Sequence, residues 1–129
     1  MSTNDQLRVL KRYYPAVRNL RKDVSHNIIP MQLYKGMMGT LIRTYQSLHT
    51  SIAEAIDDPY LDALRLDIPE DANDKMTAAQ ISLLVGQLLA YVEGTMEYLK
   101  AEEEKREEET EKRSVKKFDN FLDEINSDE

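Results

Sequence analysis

The sequence predicts an all-α protein: an antiparallel three-helix core, four helices counting a short one near residues 59–66, with a charged helical extension at the C-terminus. Three observations carry this. Apolar residues recur at spacings of three and four along three long stretches, the period of a helix with one buried face. The apolar seam stops at Leu99, and residues 101–113 are almost wholly charged. All four glycines (Gly36, Gly39, Gly86 and Gly94) fall inside the predicted helices and none in a predicted turn.

In the first stretch Leu7, Leu10, Tyr14, Val17 and Val24 collect on one face at about 100° per residue, which predicts a helix from about Thr3 to His26. Pro15 lacks an amide donor and crowds the preceding turn, so a kink, or a second helix starting there, is expected. The helix should end before Pro30, because Asn27-Ile28-Ile29-Pro30 favours extended backbone.

The second stretch has the most regular pattern: Tyr34, Met38, Leu41, Tyr45, Leu48, Ile52 and Ala55 alternate by four and three, widened by Met37, Ile42 and Ile56. It stops at Asp57-Asp58-Pro59. Asp58 is placed to cap, and Pro59 to open, a short helix running to about Leu66. A polar loop, Asp67 to Asp74, follows.

Thr77-Ala78-Ala79-Gln80 has capping-box spacing, flanked at the staple positions by Met76 and Ile81, so the third long helix is expected to start at Thr77. Ile81, Val85, Leu88, Val92 and Leu99 form its seam. Beyond it, Glu102/Arg106, Glu108/Lys112 and Glu109/Arg113 stand four apart with the acid first, and each such pair contributes only about 0.2–0.5 kcal/mol. Three units are therefore expected: a bundle over 1–100, a solvated helical spacer over 101–113, and an amphipathic terminal segment over 114–129 that orders on a partner. Each glycine costs about 0.8–1 kcal/mol against alanine in a helix interior. Close backbone approach between the second and last long helices, within one chain or across a dimer, is the expected compensation.

The composition excludes several classes of function. The chain has 129 residues, enough for one domain, and 41% of them are hydrophobic. It contains no cysteine, so disulfides, thiolate metal sites and cysteine nucleophiles are excluded, and a reducing, cytoplasmic setting is expected. No signal-peptide pattern and no uninterrupted apolar span is present, so no membrane partner is expected. Motifs of the H-E-x-x-H, P-loop, G-x-G-x-x-G and G-x-S-x-G kinds are missing. The acidic groups Glu54, Asp57, Asp58 and Asp62, and Asp67, Glu70, Asp71 and Asp74, lack calcium-loop spacing and read as caps and solvated loops. No metal and no cofactor is expected.

Charge is unevenly spread. Residues 1–50 carry a net +6, residues 51–100 a net −7 and residues 101–129 a net −6. Two surfaces follow. Val115, Phe118, Phe121, Leu122 and Ile125 return to helical spacing behind the charged spacer, the form of a helix that docks in a groove on another protein, or folds back on its own bundle. Arg8, Lys11, Arg12, Arg18 and Lys22 line the side of the first helix opposite its apolar face, with Tyr13 and Tyr14 nearby to stack on bases, which is the alternative of nucleic-acid binding. The leading reading is a non-catalytic interaction or regulatory module that docks a partner protein through its terminal segment. A homodimer is compatible with it.

A third and remote reading rests on two short matches, Arg21-Lys22-Asp23-Val24-Ser25-His26 and Arg43-Thr44-Tyr45-Gln46-Ser47-Leu48-His49. Both resemble the R-x(4–6)-H signature of HEPN-domain ribonucleases, small helical proteins. The resemblance implies metal-independent RNA cleavage by Arg and His at a dimer interface. Read without it, His26 caps a helix C-terminus and His49 is a helix-surface residue.

Overall fold

The computed structural model describes residues 2–27, 37–68 and 73–127, and shows four helices and no strand among them. They are α1 (Thr3–Asn27), α2 (Met37–Ala55), α3 (Pro59–Ala63) and α4 (Asp74–Ser127). The expected helix start near Tyr34, the break at Pro30 and the position of Gly36 lie outside the described residues.

α1 runs through Pro15 without interruption, in place of two helices. Pro15 is exposed, so its ring lies on the solvent side of the helix. Ser2 opens the helix by accepting the Asp5 amide on its hydroxyl. α1 and α4 are antiparallel, since Tyr14 meets Glu93 while Arg21 meets Ser82. α2 returns against α1, its end at Ser51 and Ala55 lying beside Val9 and Tyr13. Most of the core is what the periodicity selects: Leu10, Val17 and Val24 of α1, Tyr45 and Ile52 of α2, and Ile81, Val85, Leu88 and Val92 of α4 are all fully buried, and Leu20, Leu61, Leu64, Leu66 and Ala78 join them. Burying such side chains stabilises by about 1.5–3 kcal/mol each before the entropy of ordering is counted.

α3 is five residues long and stops at Ala63, short of Leu66. Asp58 caps it, accepting the Tyr60 amide at 3.0 Å, and Pro59 opens it. Residues 64–68 leave the helix because α2 offers their carbonyls better partners. The Tyr45 hydroxyl donates to the Leu64 carbonyl at 2.6 Å, the Gln46 amide reaches Leu66, and His49 Nε2 bonds the Leu61 carbonyl at 2.6 Å. Leu61, Leu64 and Leu66 are buried in consequence. Burial raises the Tyr45 hydroxyl pKa well above its ordinary value, so it stays a donor.

α4 starts a turn before the expected capping box. Asn73 is the cap: its side chain accepts the Met76 amide at 2.8 Å and its carbonyl accepts the Thr77 hydroxyl. Thr77 is therefore buried inside the first turns, Gln80 reaches out to the Asp67 carbonyl, and Met76, assigned to a staple, is 56% exposed. Asn73 wins because its short amide reaches free N–H groups that a Thr77 start would leave unpaired at residues 74–76.

The helix then continues without a break through the charged stretch to Ser127, 54 residues or about 80 Å at 1.5 Å per residue. Among the described side chains of α4, Leu99 is the last buried and Glu102 and Glu103 the last half-buried, so residues 104–122 stand in solvent. None of the three four-residue acid–base spacings forms an ion pair. The arm's pair among the described residues is Glu102 with Lys105, three apart at 3.9 Å. An exposed pair of that length contributes little, so helix propensity and the folded bundle below hold this stretch helical.

Within one chain the glycine expectation fails at Gly39, Gly86 and Gly94. A Cβ at Gly86 would meet the Arg21 guanidinium of α1 at 3.6 Å, one at Gly39 would meet only Arg43 of its own helix, and one at Gly94 would meet nothing within 4 Å. No α2–α4 backbone approach depends on them.

Candidate interaction surfaces

The terminal arm carries four exposed large apolar side chains. Val115, Phe118, Phe121 and Leu122 are 61%, 61%, 57% and 41% exposed. Successive spacings of three and four put Val115, Phe118 and Leu122 on one stripe with Phe121 at its edge, and Ile125 continues the stripe by sequence, its side chain lying outside the described ones. None of the four packs on the bundle. A straight helix that leaves the bundle at residue 103 carries its end away from the core.

All five cations of α1 assigned to a phosphate-contacting stripe are exposed: Arg8, Lys11, Arg12, Arg18 and Lys22. Arg8 lies 4.0 Å from Asp5, and the Arg12 guanidinium sits over the Tyr13 ring at 5.7 Å. The tyrosines offered for base stacking are only half-exposed. Tyr14 donates its hydroxyl to Glu93 of α4, and that bond holds the Tyr14 pKa above its ordinary value. Arg21, on the apolar edge, donates to the Ser82 carbonyl at 3.3 Å and so belongs to the α1–α4 contact.

The four residues of the Arg/His spacings do not converge. His26 is exposed, its Nδ1 2.8 Å from the Lys22 carbonyl, the capping position expected of it. His49 is no surface residue: it is 6% exposed, stacked on Tyr45 and tied through Nε2 to the Leu61 carbonyl. α3 presents this carbonyl to it, which the local pattern of α2 could not reveal. Arg43 is exposed and lies along Gly39 of its own helix. Among the described residues no group of three His, Asp or Glu side chains could hold a metal ion.

A tie the sequence did not point to joins α3 to α4. Asp58, besides capping α3, accepts the Tyr91 hydroxyl at 2.7 Å, and the Tyr60 and Tyr91 rings stack at 5.5 Å. The Tyr91 hydroxyl and the Tyr60 amide together hold the Asp58 carboxyl below its ordinary range. Burial, then the bond to Asp58, pushes Tyr91 up to about 12.

One more apolar face was missed. On the outer side of α4, Met76 and Leu83 are 56% and 62% exposed, and Leu83 stands in a shallow groove with Ala79, Gly86, Ala90 and the Arg21 side chain. The seven-residue spacing of Met76, Leu83 and Ala90 was the available signal. One stretch of α4 also passes for a membrane-spanning helix by length and composition alone, though Ile81, Val85, Leu88 and Val92 are fully buried in the bundle.

These surfaces define a helical bundle with a projecting helix. No family model matches the chain, and neither a curated protein nor a solved structure shows significant similarity to it.

Proposed function

We propose that this protein is a non-catalytic helical interaction module that docks a partner protein through the apolar stripe of its terminal arm. The observation that carries this reading is the exposure of Val115, Phe118, Phe121 and Leu122 on a helix held clear of its own core. Large apolar side chains grouped at helical spacing on a solvated arm match the way an amphipathic helix enters a groove on its partner. The test is capture by the full-length chain against its Phe118→Glu/Leu122→Glu variant, with helicity and melting followed in both. The reading requires capture to be lost while melting of the bundle is unchanged, and equal capture by both refutes it.

The five exposed cations of α1 favour a second reading, an accessory protein that contacts nucleic-acid phosphates. Binding of this kind weakens steeply with salt and with removal of charge. An affinity for RNA or DNA indifferent to Arg12→Glu plus Arg18→Glu overturns it.

A further inference from the structure

The arm stripe and the outer face of α4 have the same repeat. Counting back from Phe118 in sevens reaches Glu111, Glu104, Glu97, Ala90, Leu83 and Met76, and counting back from Leu122 reaches Val115, Glu108, Ala101, Gly94, Gln87 and Gln80. These two rows form one heptad seam along α4: the Phe118 row is apolar at both ends with glutamates between, and the Leu122 row is apolar at the arm and begins with Gln80 and Gln87. Every described side chain of that seam is exposed except Gln80, which is partly covered. A strict seven-residue repeat on a long helix fits a second helix winding about it.

We propose that the occupant of the arm stripe is the α4 of a second copy of this chain, packed antiparallel so that each arm lies on the outer α4 face of the other copy's bundle. The inference rests on the reading that the arm docks, and names its partner. Two features of the structure support it.

Length is the first. The arm beyond Glu103 is about as long as the part of α4 inside the bundle, so an antiparallel pair superposes each arm on the other copy's bundle face and leaves neither apolar end over. Both contacts form at once under a two-fold axis, which makes the pairing closed.

Register is the second. Setting Val115 opposite Leu83 of the second copy sets Leu122 opposite Met76, and it places Glu97, Glu104 and Glu108 opposite Ala101, Gly94 and Ala90. These three glutamates then face small residues that leave their carboxylates a path to water, and at Gly94 the space is open, while Glu111 faces Gln87. A shift of one heptad puts Glu108 against Glu97 in one direction and against Leu83 in the other. A parallel, in-register pair stacks Glu97, Glu104, Glu108 and Glu111 each on its own copy.

The absence of cysteine permits a direct test in the full-length chain. Sedimentation from micromolar to millimolar concentration should show a concentration-dependent species of twice the 15.0 kDa chain mass, and Phe118→Glu/Leu122→Glu should abolish it without changing bundle melting. A short bis-maleimide should link Leu83→Cys/Val115→Cys chains into covalent dimers, and Phe118→Cys chains much less. A single-chain mass throughout that range overturns the proposal, as does efficient linking through Phe118→Cys alone, which marks a parallel pair. If the chain sediments as a monomer while the glutamate variant still loses capture of a different protein, self-docking fails and the docking reading stands. If neither mass nor capture responds to the glutamates, both fail.

Discussion

Asp58→Ala should destabilise the bundle far more than removal of a half-exposed carboxylate ordinarily does, because this one side chain closes two contacts. Its Oδ1 accepts the Tyr60 amide at 3.0 Å and its Oδ2 accepts the Tyr91 hydroxyl at 2.7 Å. Losing an N-cap costs about 1 kcal/mol. A hydrogen bond to an ionised acceptor contributes about 1.5–3 kcal/mol, taken here at the low end because water reaches the carboxylate. The variant should therefore lose about 2–3 kcal/mol, or roughly 10–20 °C in melting temperature for a cooperative unit of this size. Tyr91→Phe, which keeps the cap, should lose about 1–2 kcal/mol. Since the two substitutions remove the same bond, the double variant should be less destabilised than the sum by about 1 kcal/mol or more. Urea unfolding of the four proteins, followed by circular dichroism at 222 nm, measures the cycle. Additivity within about 0.3 kcal/mol would mean that the Asp58–Tyr91 bond contributes nothing, and the account of how α3 is fastened to α4 would be wrong.

Other expected outcomes follow from the same geometry. The Asp58 carboxyl is held below its ordinary 3.8, so its contribution is present above that pH and is lost as the pH falls through the folded-state value; Asp58→Asn should flatten the acid limb of a stability–pH curve. Tyr91 is raised from 10.0 to about 12, so its contribution is present below pH 10 and is lost between 10 and 12, and Tyr91→Phe should remove that alkaline loss. Tyr45→Phe leaves the Leu64 carbonyl without its donor in a buried site and should cost about 1–3 kcal/mol in chemical denaturation. Leu88→Ala should cost about 2–5 kcal/mol, whereas Phe118→Ala should change bundle unfolding in the monomer by less than about 0.5 kcal/mol; equal losses would mean that the arm packs on its own core. Gly94→Ala should raise the stability of α4 by about 0.8–1 kcal/mol, since the added methyl meets open space.

What periodicity encodes was legible in the sequence. The residues selected on Leu7 to Val24, Leu41 to Ile52 and Ile81 to Leu99 are the buried faces of α1, α2 and α4, with Tyr14 only half-buried, and Asp58-Pro59 opens α3 as expected. The exposed arm residues Val115, Phe118, Phe121 and Leu122, and the exposed cations of α1, also lie on the helix faces to which their spacing assigned them. A helix repeats every 3.6 residues whatever surrounds it, so a single segment already states which side it buries. Other features are decided between segments distant in sequence, and no local pattern carries them. The turn at Asn73 competes with the capping box at Thr77 through the free amides of a helix end. His49 differs from a surface residue because Leu61 of α3 presents its carbonyl to it. Gly86 faces Arg21 of α1 rather than α2. The length of α4 was likewise decided by the fold: residues 101–113 have no core of their own, and they stay helical because the packed turns before them have already met the cost of nucleation. The sequence by itself thus determined the faces of this protein, and the tertiary structure decided which of those faces remain open, because burial is settled by pairs of segments and periodicity by one.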